Sequence, residues 1–261
     1  MDLGLDGETA LLTASTSGLG KASARALASD GANVVVCGRD ETRLDAAVED
    51  VREVATGGVE GVTADVTDPD DVAALVDATV DAFGGLDHVV TSAGGPPSGP
   101  LLDYSERDWY EAYDLLVMSV VRTFEAAYPH LEASDAGTLT AITSRTVERP
   151  IEGLGLSNSV RRAVIGFVET VALECAPAVR ANAVLPGSFE TARIESVIEA
   201  EVERGEHADY EAGREAWGAT APMDRIGDPR ELGDVVAFLA SDRASFVTGA
   251  SVPADGGSLV Q

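Results

Sequence analysis

Three polar residues stand at a spacing that could carry chemistry on a carbonyl group. Ser144 closes the apolar stretch LTAITS, and Ser157 and Arg161 lie four residues apart in GLGLSNSVRRAVIGF (153–167). A helix would place the last two on one face. A serine hydroxyl can donate a hydrogen bond to a carbonyl oxygen, and a guanidinium can bind a carboxylate or a pair of hydroxyls. All three could hold a polar ligand, although arginine stays protonated at neutral pH and serine is a weak acid.

A glycine-rich turn upstream predicts a dinucleotide site. TASTSGLGKASARAL (13–27) follows a short apolar run and opens a helical pattern. Glycines at a strand-to-helix turn let backbone N–H groups approach a diphosphate, and the helix N-terminus favours negative charge. An alanine, Ala14, stands where the first glycine of such turns is expected. The candidate cofactor-binding residues here are Thr13, Ser15, Thr16, Ser17, Gly18, Leu19 and Gly20.

The end of the second apolar run indicates which dinucleotide binds. Dinucleotide folds place a ribose-reading residue about 20 residues after the glycine turn, and an acidic residue there binds the ribose hydroxyls of NAD. This chain has Gly38 followed by Arg39. Glycine leaves room for a 2′-phosphate, and the guanidinium can bind it. We therefore expect NADP(H) to be preferred over NAD(H), unless Asp40 pairs with Arg39 and weakens the preference.

Alternating strand and helix patterns must position these residues. Runs rich in β-branched residues span 8–14, 32–38, 59–66, 86–94, 137–144, 180–187 and 250–257. Helical stripes with apolar residues at i, i+3, i+4 and i+7 lie between them, as in Leu44, Ala47, Val48 and Val51. Such alternation predicts βαβ units. The expected fold class is α/β: a single Rossmann-type, doubly wound parallel sheet of about seven strands, with helices on both faces.

We predict one domain over residues 1–261, because no linker or repeat divides the chain. Residues 189–222 interrupt the alternation with an acidic helical stretch after Pro186-Gly187. Ligands of open α/β sheets bind beyond the carboxyl ends of the strands. This segment is therefore expected to form a lid over a binding cleft; the alternative is a solvated pair of helices.

The net charge of the chain limits the kinds of partner that it can bind. The chain carries 45 acidic and 18 basic residues, a formal net charge of −27, and Lys21 is its only lysine. Such a field repels nucleic acid and anionic membranes, so neither is expected as a partner. Salt at molar concentration shortens the Debye length to about 3 Å and removes most of the self-repulsion. The composition therefore favours a halophilic protein, with an acidic mesophilic protein as the alternative.

Metal binding and membrane insertion are not expected. The two cysteines, Cys37 and Cys175, have no metal-ligand spacing, and the chain contains no run of about 18 apolar residues. The sequence also lacks a signal-peptide pattern, so a cytoplasmic location is the default expectation.

Together the motifs resemble the short-chain dehydrogenases/reductases over essentially the whole chain, most closely proteins labelled 3-oxoacyl-carrier-protein reductases. The glycine turn resembles the family's Thr-Gly-x-x-x-Gly-x-Gly, and residues 225–257 resemble its C-terminal region. The resemblance implies cofactor contacts at Asp65-Val66, at Ser92-Ala93-Gly94 within TSAG, and at Pro186, Gly187 and Thr191. It also implies a homodimer or homotetramer built from helices at 109–131 and 157–175.

The resemblance implies a catalytic tetrad of which one member is present. Ser144 matches the serine that polarises the carbonyl. Ser157 and Arg161 stand in the places of the tyrosine and lysine, and Leu116 stands in that of the asparagine. Another group would have to supply the proton; the candidates are Tyr104, Tyr113, Glu148, Glu152 and Tyr210, each of which could equally be a surface or packing residue.

Two functions follow, with a third left open. The first is an NADP(H)-dependent oxidoreductase that interconverts a carbonyl and a secondary alcohol on a small molecule. The second is a catalytically silent NADP(H)-binding homologue acting as a sensor or assembly partner. An epimerisation or dehydration on the same scaffold is the third. Four arginines could form a basic pocket for an anionic substrate: Arg145, Arg149, Arg161 and Arg162. The alternative is a structural role, in which they pair with Glu148 or Glu152.

Overall fold

The β-branched runs form a parallel sheet in the computed structural model, which describes residues 2–260. Within that range seven strands pair in the order β3-β2-β1-β4-β5-β6-β7, all of them parallel. The predicted fold class is therefore confirmed. The strands are β1 (Thr9–Leu12), β2 (Asn33–Gly38), β3 (Val59–Thr63), β4 (His88–Thr91), β5 (Thr138–Ile142), β6 (Arg180–Pro186) and β7 (Ser251–Ala254).

Helices connect the strands and begin where side chains can cap them. Asp68 accepts hydrogen bonds from two backbone amides at the start of α3, and Gly84 ends that helix in a left-handed conformation, φ +83°. The helices are α1 (Gly18–Ser29), α2 (Glu41–Arg52), α3 (Pro69–Phe83), α4 (Glu106–Tyr113), α5 (Ser119–Ala133), α6 (Gly155–Glu174), α7 (Ala192–Glu203), α8 (Tyr210–Gly218) and α9 (Pro229–Ala240).

The core consists of two apolar layers, one on each face of the sheet. Side chains alternate along a strand, so that Leu11 and Val35 belong to one layer and Leu12 and Val36 to the other. The first layer includes buried residues of α3, α5 and α6, and the second those of α1, α2 and α9. Burial on both faces explains why the strands read as continuous apolar runs.

The order of the strands places the glycine turn at the centre of the molecule. Chain order reverses between β1 and β4, which are neighbours in the sheet. Thr13, just after β1, donates from Oγ1 to the Ser92 carbonyl at 2.8 Å and accepts from the Ser92 amide at 2.9 Å. This pair of bonds fixes the two strand ends beside the crevice in which open α/β sheets bind ligands.

The helix expected over 109–131 is two helices joined by a wider turn. Asp114–Met118 forms a π-helical turn between α4 and α5, and Leu116 in it is 2% exposed. A π turn adds one residue to the helical repeat. The segment 189–222 holds α7 and α8, as its helical pattern predicted. Within residues 2–260 no helix is long and apolar enough to cross a membrane.

Candidate active site

The glycine turn is held by buried hydrogen bonds beneath it. Ser15 is fully buried; its hydroxyl donates to the Leu12 carbonyl at 2.7 Å and accepts from the Cys37 amide at 3.0 Å. Ala14 has φ +46°, a left-handed conformation that favours glycine. A Cβ added to Gly20 would lie 2.8 Å from the Ala14 carbonyl oxygen. Helix α1 can therefore lie this close to the strand only with glycine at position 20.

The N-terminus of α1 is open to an anion. Ser17 precedes the helix but makes no side-chain cap, and the first turn contains no acidic residue. This is notable in a chain with 45 acidic residues, because carboxylates ordinarily occupy such positions. Gly18 has φ +54°, and Thr191 lies 3.6 Å from the Cβ position it would have. Thr16 and Leu19 are partly exposed beside them, so the predicted diphosphate-binding residues lie together.

The end of β2 presents one exposed cation. Arg39 is 74% exposed at its side chain, and its Nη1 donates to Asp65 Oδ2 at 3.3 Å. Asp40 instead caps α2 by accepting from the Arg43 amide at 2.9 Å. Asp40 thus does not neutralise Arg39. A Cβ on Gly38 would lie 2.4 Å from Thr16 Cγ2, so position 38 requires glycine.

Asp65 is fixed in its charged form. Burial raises the pKa of a carboxyl, but hydrogen bonds from the Thr67 amide and hydroxyl, with the charge of Arg39, bring the pKa of Asp65 below its usual value. The Thr67 donors lie 2.9 and 2.7 Å from Oδ1. Val66 beside it is buried in the core, so its backbone is what the cleft can contact.

The far end of the cleft is formed by the carboxyl ends of β4 and β6. Ser92, Ala93 and Gly94 follow β4, and the first two are partly buried. Pro186 closes β6, and a Cβ on Gly187 would lie 2.7 Å from Asp255 Cα after β7. The predicted cofactor residues therefore lie at or just after the carboxyl ends of β1, β2, β3, β4 and β6.

Ser144 and Ser157 meet at a third residue, Thr146. The Ser144 hydroxyl accepts from the Thr146 amide at 3.2 Å, which leaves its own hydrogen free to be donated. Ser157 is 8% exposed, and its Oγ lies 3.4 Å from Thr146 Oγ1. Thr146 was not predicted as part of the site; its position two residues after Ser144 is the feature of the sequence that could have indicated it.

Arg161 spans the ends of β4 and β5. Its Nη1 donates to the Thr143 carbonyl at 3.4 Å and its Nη2 to the Gly94 carbonyl at 3.3 Å. Its Nε is buried without a hydrogen-bond partner among residues 2–260. Burial and the nearby charge of Arg193 lower the pKa of Arg161 to about 10, so the group stays protonated at pH 7. Arg161 makes no ion pair with Glu148 or Glu152 in this part of the chain.

A cavity of about 10 Å³, close to the smallest that can hold one water molecule, is lined in part by Arg161. Leu116, which the resemblance places at an asparagine position, lines one wall. Thr91, whose hydroxyl has no hydrogen-bond partner among residues 2–260, also lines this cavity. The apolar Leu116 side chain offers no hydrogen bond with which to anchor a proton relay here.

Arg193 is a residue that sequence reasoning missed. It lies in the first turn of α7, and its guanidinium occupies the space that a Cβ on Gly95 would fill. Nothing in its local sequence indicates this contact. Of the four arginines considered from the sequence, Arg149 has its Nη1 3.5 Å from the Ser258 carbonyl after β7, whereas Arg161 bonds to the loop ends after β4 and β5.

The proposed substitutes for the missing acid lie in other settings. Tyr104 donates to the Gly99 carbonyl at 3.0 Å and packs edge-on against Trp109, which is a structural role. Tyr113 is 47% exposed, and Glu148 and Glu152 are exposed as well. Tyr210 is in α8, where burial and then Glu195 and Glu190 raise its pKa. A raised pKa makes Tyr210 a weaker acid than a free tyrosine.

Fold and cleft together are those of an open, doubly wound α/β protein, and comparison identifies its family. A family model described as Enoyl-(Acyl carrier protein) reductase matches residues 13–258. Dehydrogenase/reductase SDR family member 4 of Bos taurus is 34% identical over 98% of this chain and 88% of its own length. The 3-oxoacyl-[acyl-carrier-protein] reductase of Thermotoga maritima is 30% identical over 98% and 99%. The chain belongs to the short-chain dehydrogenase/reductase superfamily.

Solved structures agree with this assignment. L-sorbose reductase from Gluconobacter frateurii, complexed with NADPH and L-sorbose, superposes with a TM-score of 0.95 at 30% identity and full coverage of both chains. Aldohexose dehydrogenase from Thermoplasma acidophilum superposes with a TM-score of 0.89 at 28% identity, covering 100% and 97%. The neighbours are reductases and dehydrogenases of the same fold.

Proposed function

We propose that this protein is an NADP(H)-dependent oxidoreductase that interconverts a carbonyl group and a secondary alcohol through a non-standard active site. The observation that carries the proposal is Arg39, an exposed guanidinium beside Gly38 at the end of β2. A 2′-phosphate is a dianion that a guanidinium binds through two parallel N–H groups. The L-sorbose reductase, a structure with NADPH bound, supports the same choice of cofactor.

The residues present fit a dinucleotide. The uncapped, acid-free N-terminus of α1 suits the diphosphate, and Gly38 adds no side chain beside the exposed Arg39 guanidinium. Asp65-Val66 and the Ser92–Gly94 segment would hold the adenine half, and Pro186, Gly187 and Thr191 the nicotinamide half. When bound, a reduced nicotinamide supplies hydride to a carbonyl carbon.

Residues of the chain orient the carbonyl and stabilise the charge that develops on its oxygen. Ser144 has its hydroxyl oxygen occupied by the Thr146 amide and its hydrogen available for the carbonyl oxygen. Arg161, at the same strand ends, is placed to orient the substrate. If the cofactor were held at this end of the cleft, it would supply the hydride to the carbonyl carbon, and a proton from solvent water would go to the carbonyl oxygen to complete the alcohol. Ser157, whose Oγ lies 3.4 Å from Thr146 Oγ1, orients Thr146 and through it Ser144.

A lid over the cleft is part of the proposal. Helices α7 and α8 follow β6, and Thr191 and Arg193 contact the segments around Gly18 and Gly95. A segment that touches the ends of both β1 and β4 is placed to exclude water from a ligand between them. We also propose that the protein acts as a homodimer or homotetramer and that its acidic surface suits a salt-loaded cytoplasm.

The test is a titration with NADPH and NADH in molar potassium chloride, followed by absorbance at the nicotinamide band with a panel of ketones, oxo acids and aldehydes. We expect tighter binding of NADPH and its oxidation by at least one carbonyl compound. Binding without turnover across the panel would favour the silent homologue. Binding of neither cofactor would reject both functions.

A further inference from the structure

The cleft contains a second cation, Arg193, to which the proposed reduction assigns no role. Its guanidinium lies on Gly95. The preceding residue, Gly94, accepts a hydrogen bond from Arg161 Nη2 at 3.3 Å. Two guanidinium groups from different helices therefore lie against consecutive residues of one loop after β4. Arg193 is exposed to solvent, so a ligand can reach it.

Among residues 2–260, no carboxylate forms an ion pair with either of these two arginines. Ten of the arginines form ion pairs with aspartate or glutamate in residues 2–260. Arg161 and Arg193 are not among them, although the chain has 45 acidic residues. Glu190, three residues before Arg193, is instead held by Arg214, whose Nε lies 2.9 Å from Oε1. Glu190 is thus engaged by a different arginine.

Two like charges placed together, one of them largely buried, are unfavourable unless an anion lies between them. The buried Nε of Arg161 also has no acceptor in the described part of the chain. A buried donor without a partner is costly and indicates a missing acceptor. An anion that accepts hydrogen bonds would therefore both offset the two positive charges and give Arg161 Nε an acceptor.

We propose that Arg161 and Arg193 together bind a carboxylate of the substrate, so that the compound reduced is an oxo acid. This inference rests on the proposed carbonyl reduction. Arg161 also bonds to the Thr143 carbonyl, and the next residue is Ser144, the candidate carbonyl-binding group. In 2-oxo and 3-oxo acids the carboxylate and carbonyl are separated by at most one methylene. An anion held by this pair would thus present its carbonyl near Ser144.

The other anion that could reach the pair is the diphosphate of the cofactor. The diphosphate-binding features, Gly18 and the open N-terminus of α1, lie at the end of β1 and contact Thr191. Arg193 extends to Gly95 beyond the end of β4, and Arg161 lies between β4 and β5. The pair is therefore on the Ser144 side of the cleft, which favours the substrate.

The experiment measures binding of oxamate, a non-reducible isostere of a 2-oxo acid, by calorimetry with and without saturating NADPH in one potassium chloride buffer. Arg193→Gln should raise the Kd of oxamate about 10- to 100-fold, the usual worth of a hydrogen bond to a charged group. Gly95→Ala should act in the same direction, because the added Cβ displaces the guanidinium while keeping its charge. Arg204→Gln, at the other end of α7, is the matched control and should stay within about twofold.

NADPH titration of the same variants separates the two anions and the two proposals. We expect the Kd of NADPH to stay within about twofold in Arg193→Gln, and thermal unfolding to show that each variant is folded. An equal loss of NADPH and oxamate affinity would assign Arg193 to the diphosphate and overturn the inference. Wild-type protein that binds NADPH but not oxamate would reject the oxo-acid site and leave the proposed reduction standing. Protein that binds oxamate but no cofactor would support the oxo-acid site and reject the proposed reduction.

Discussion

Replacing Arg39 by glutamine should remove most of the preference for NADPH. The guanidinium is 74% exposed and pairs only with Asp65, at 3.3 Å, within the described residues. Hydrogen bonds to a charged group are worth about 1.5–3 kcal/mol. The exposed pair with Asp65, which a 2′-phosphate would displace, is worth at most about 1 kcal/mol. The net loss for Arg39→Gln is then about 1–2 kcal/mol, or roughly 5- to 30-fold in the Kd of NADPH.

The assay is fluorescence titration with NADPH and NADH at low and at molar potassium chloride. NADH lacks the 2′-phosphate, so its Kd should not change. Because the contact is exposed, the NADPH effect should shrink as salt screens it. Arg43→Gln is the matched control: this residue is 73% exposed, lies four residues further on, and pairs with Asp40. Equal effects of the two substitutions, or an equal loss of NADH affinity in Arg39→Gln, would refute the assignment of Arg39 to the 2′-phosphate.

Three stability predictions follow from the backbone and caps, each measured by denaturant unfolding. Ala14→Gly should stabilise the fold by about 1 kcal/mol by relieving φ +46°, and no gain would show that the turn holds alanine without strain. Gly233→Ala should cost about 1–3 kcal/mol, because the new Cβ would lie 2.6 Å from the Ala22 carbonyl oxygen; a neutral result would mean that α1 and α9 can separate freely. Asp228→Ala should cost about 1 kcal/mol at pH 7 by removing the capping box of α9. Hydrogen bonds from Arg230 lower the pKa of Asp228 to about 2. The native carboxylate therefore stabilises the fold above its unfolded pKa near 3.8, and the difference should fade as pH drops toward 2; a constant difference would contradict this.

Much of the fold could be predicted from local patterns in the sequence. Burial of a parallel sheet on both faces imposes continuous β-branched runs, and an amphipathic helix imposes a 3.6-residue period. These patterns located all seven strands and the order of the elements. The π turn at Asp114–Met118 escaped prediction, because one inserted residue leaves the apolar pattern nearly unchanged. The lid, the oligomeric state and the preference for NADP(H) stay predictions.

The sequence by itself determined which residues could take part in the chemistry. Gly18, Gly20, Ser144 and Arg161 are recognisable because each follows a strand or shares a helix face, and those relations are local. Tertiary structure decided which of them meet. Arg161 reaches a carbonyl 67 residues away in the chain, and Arg193 lies on Gly95 only because the sheet brings the ends of β4 and β6 to one edge. Contacts of that kind depend on strand order and on the path of a loop, and no periodicity in the sequence records them.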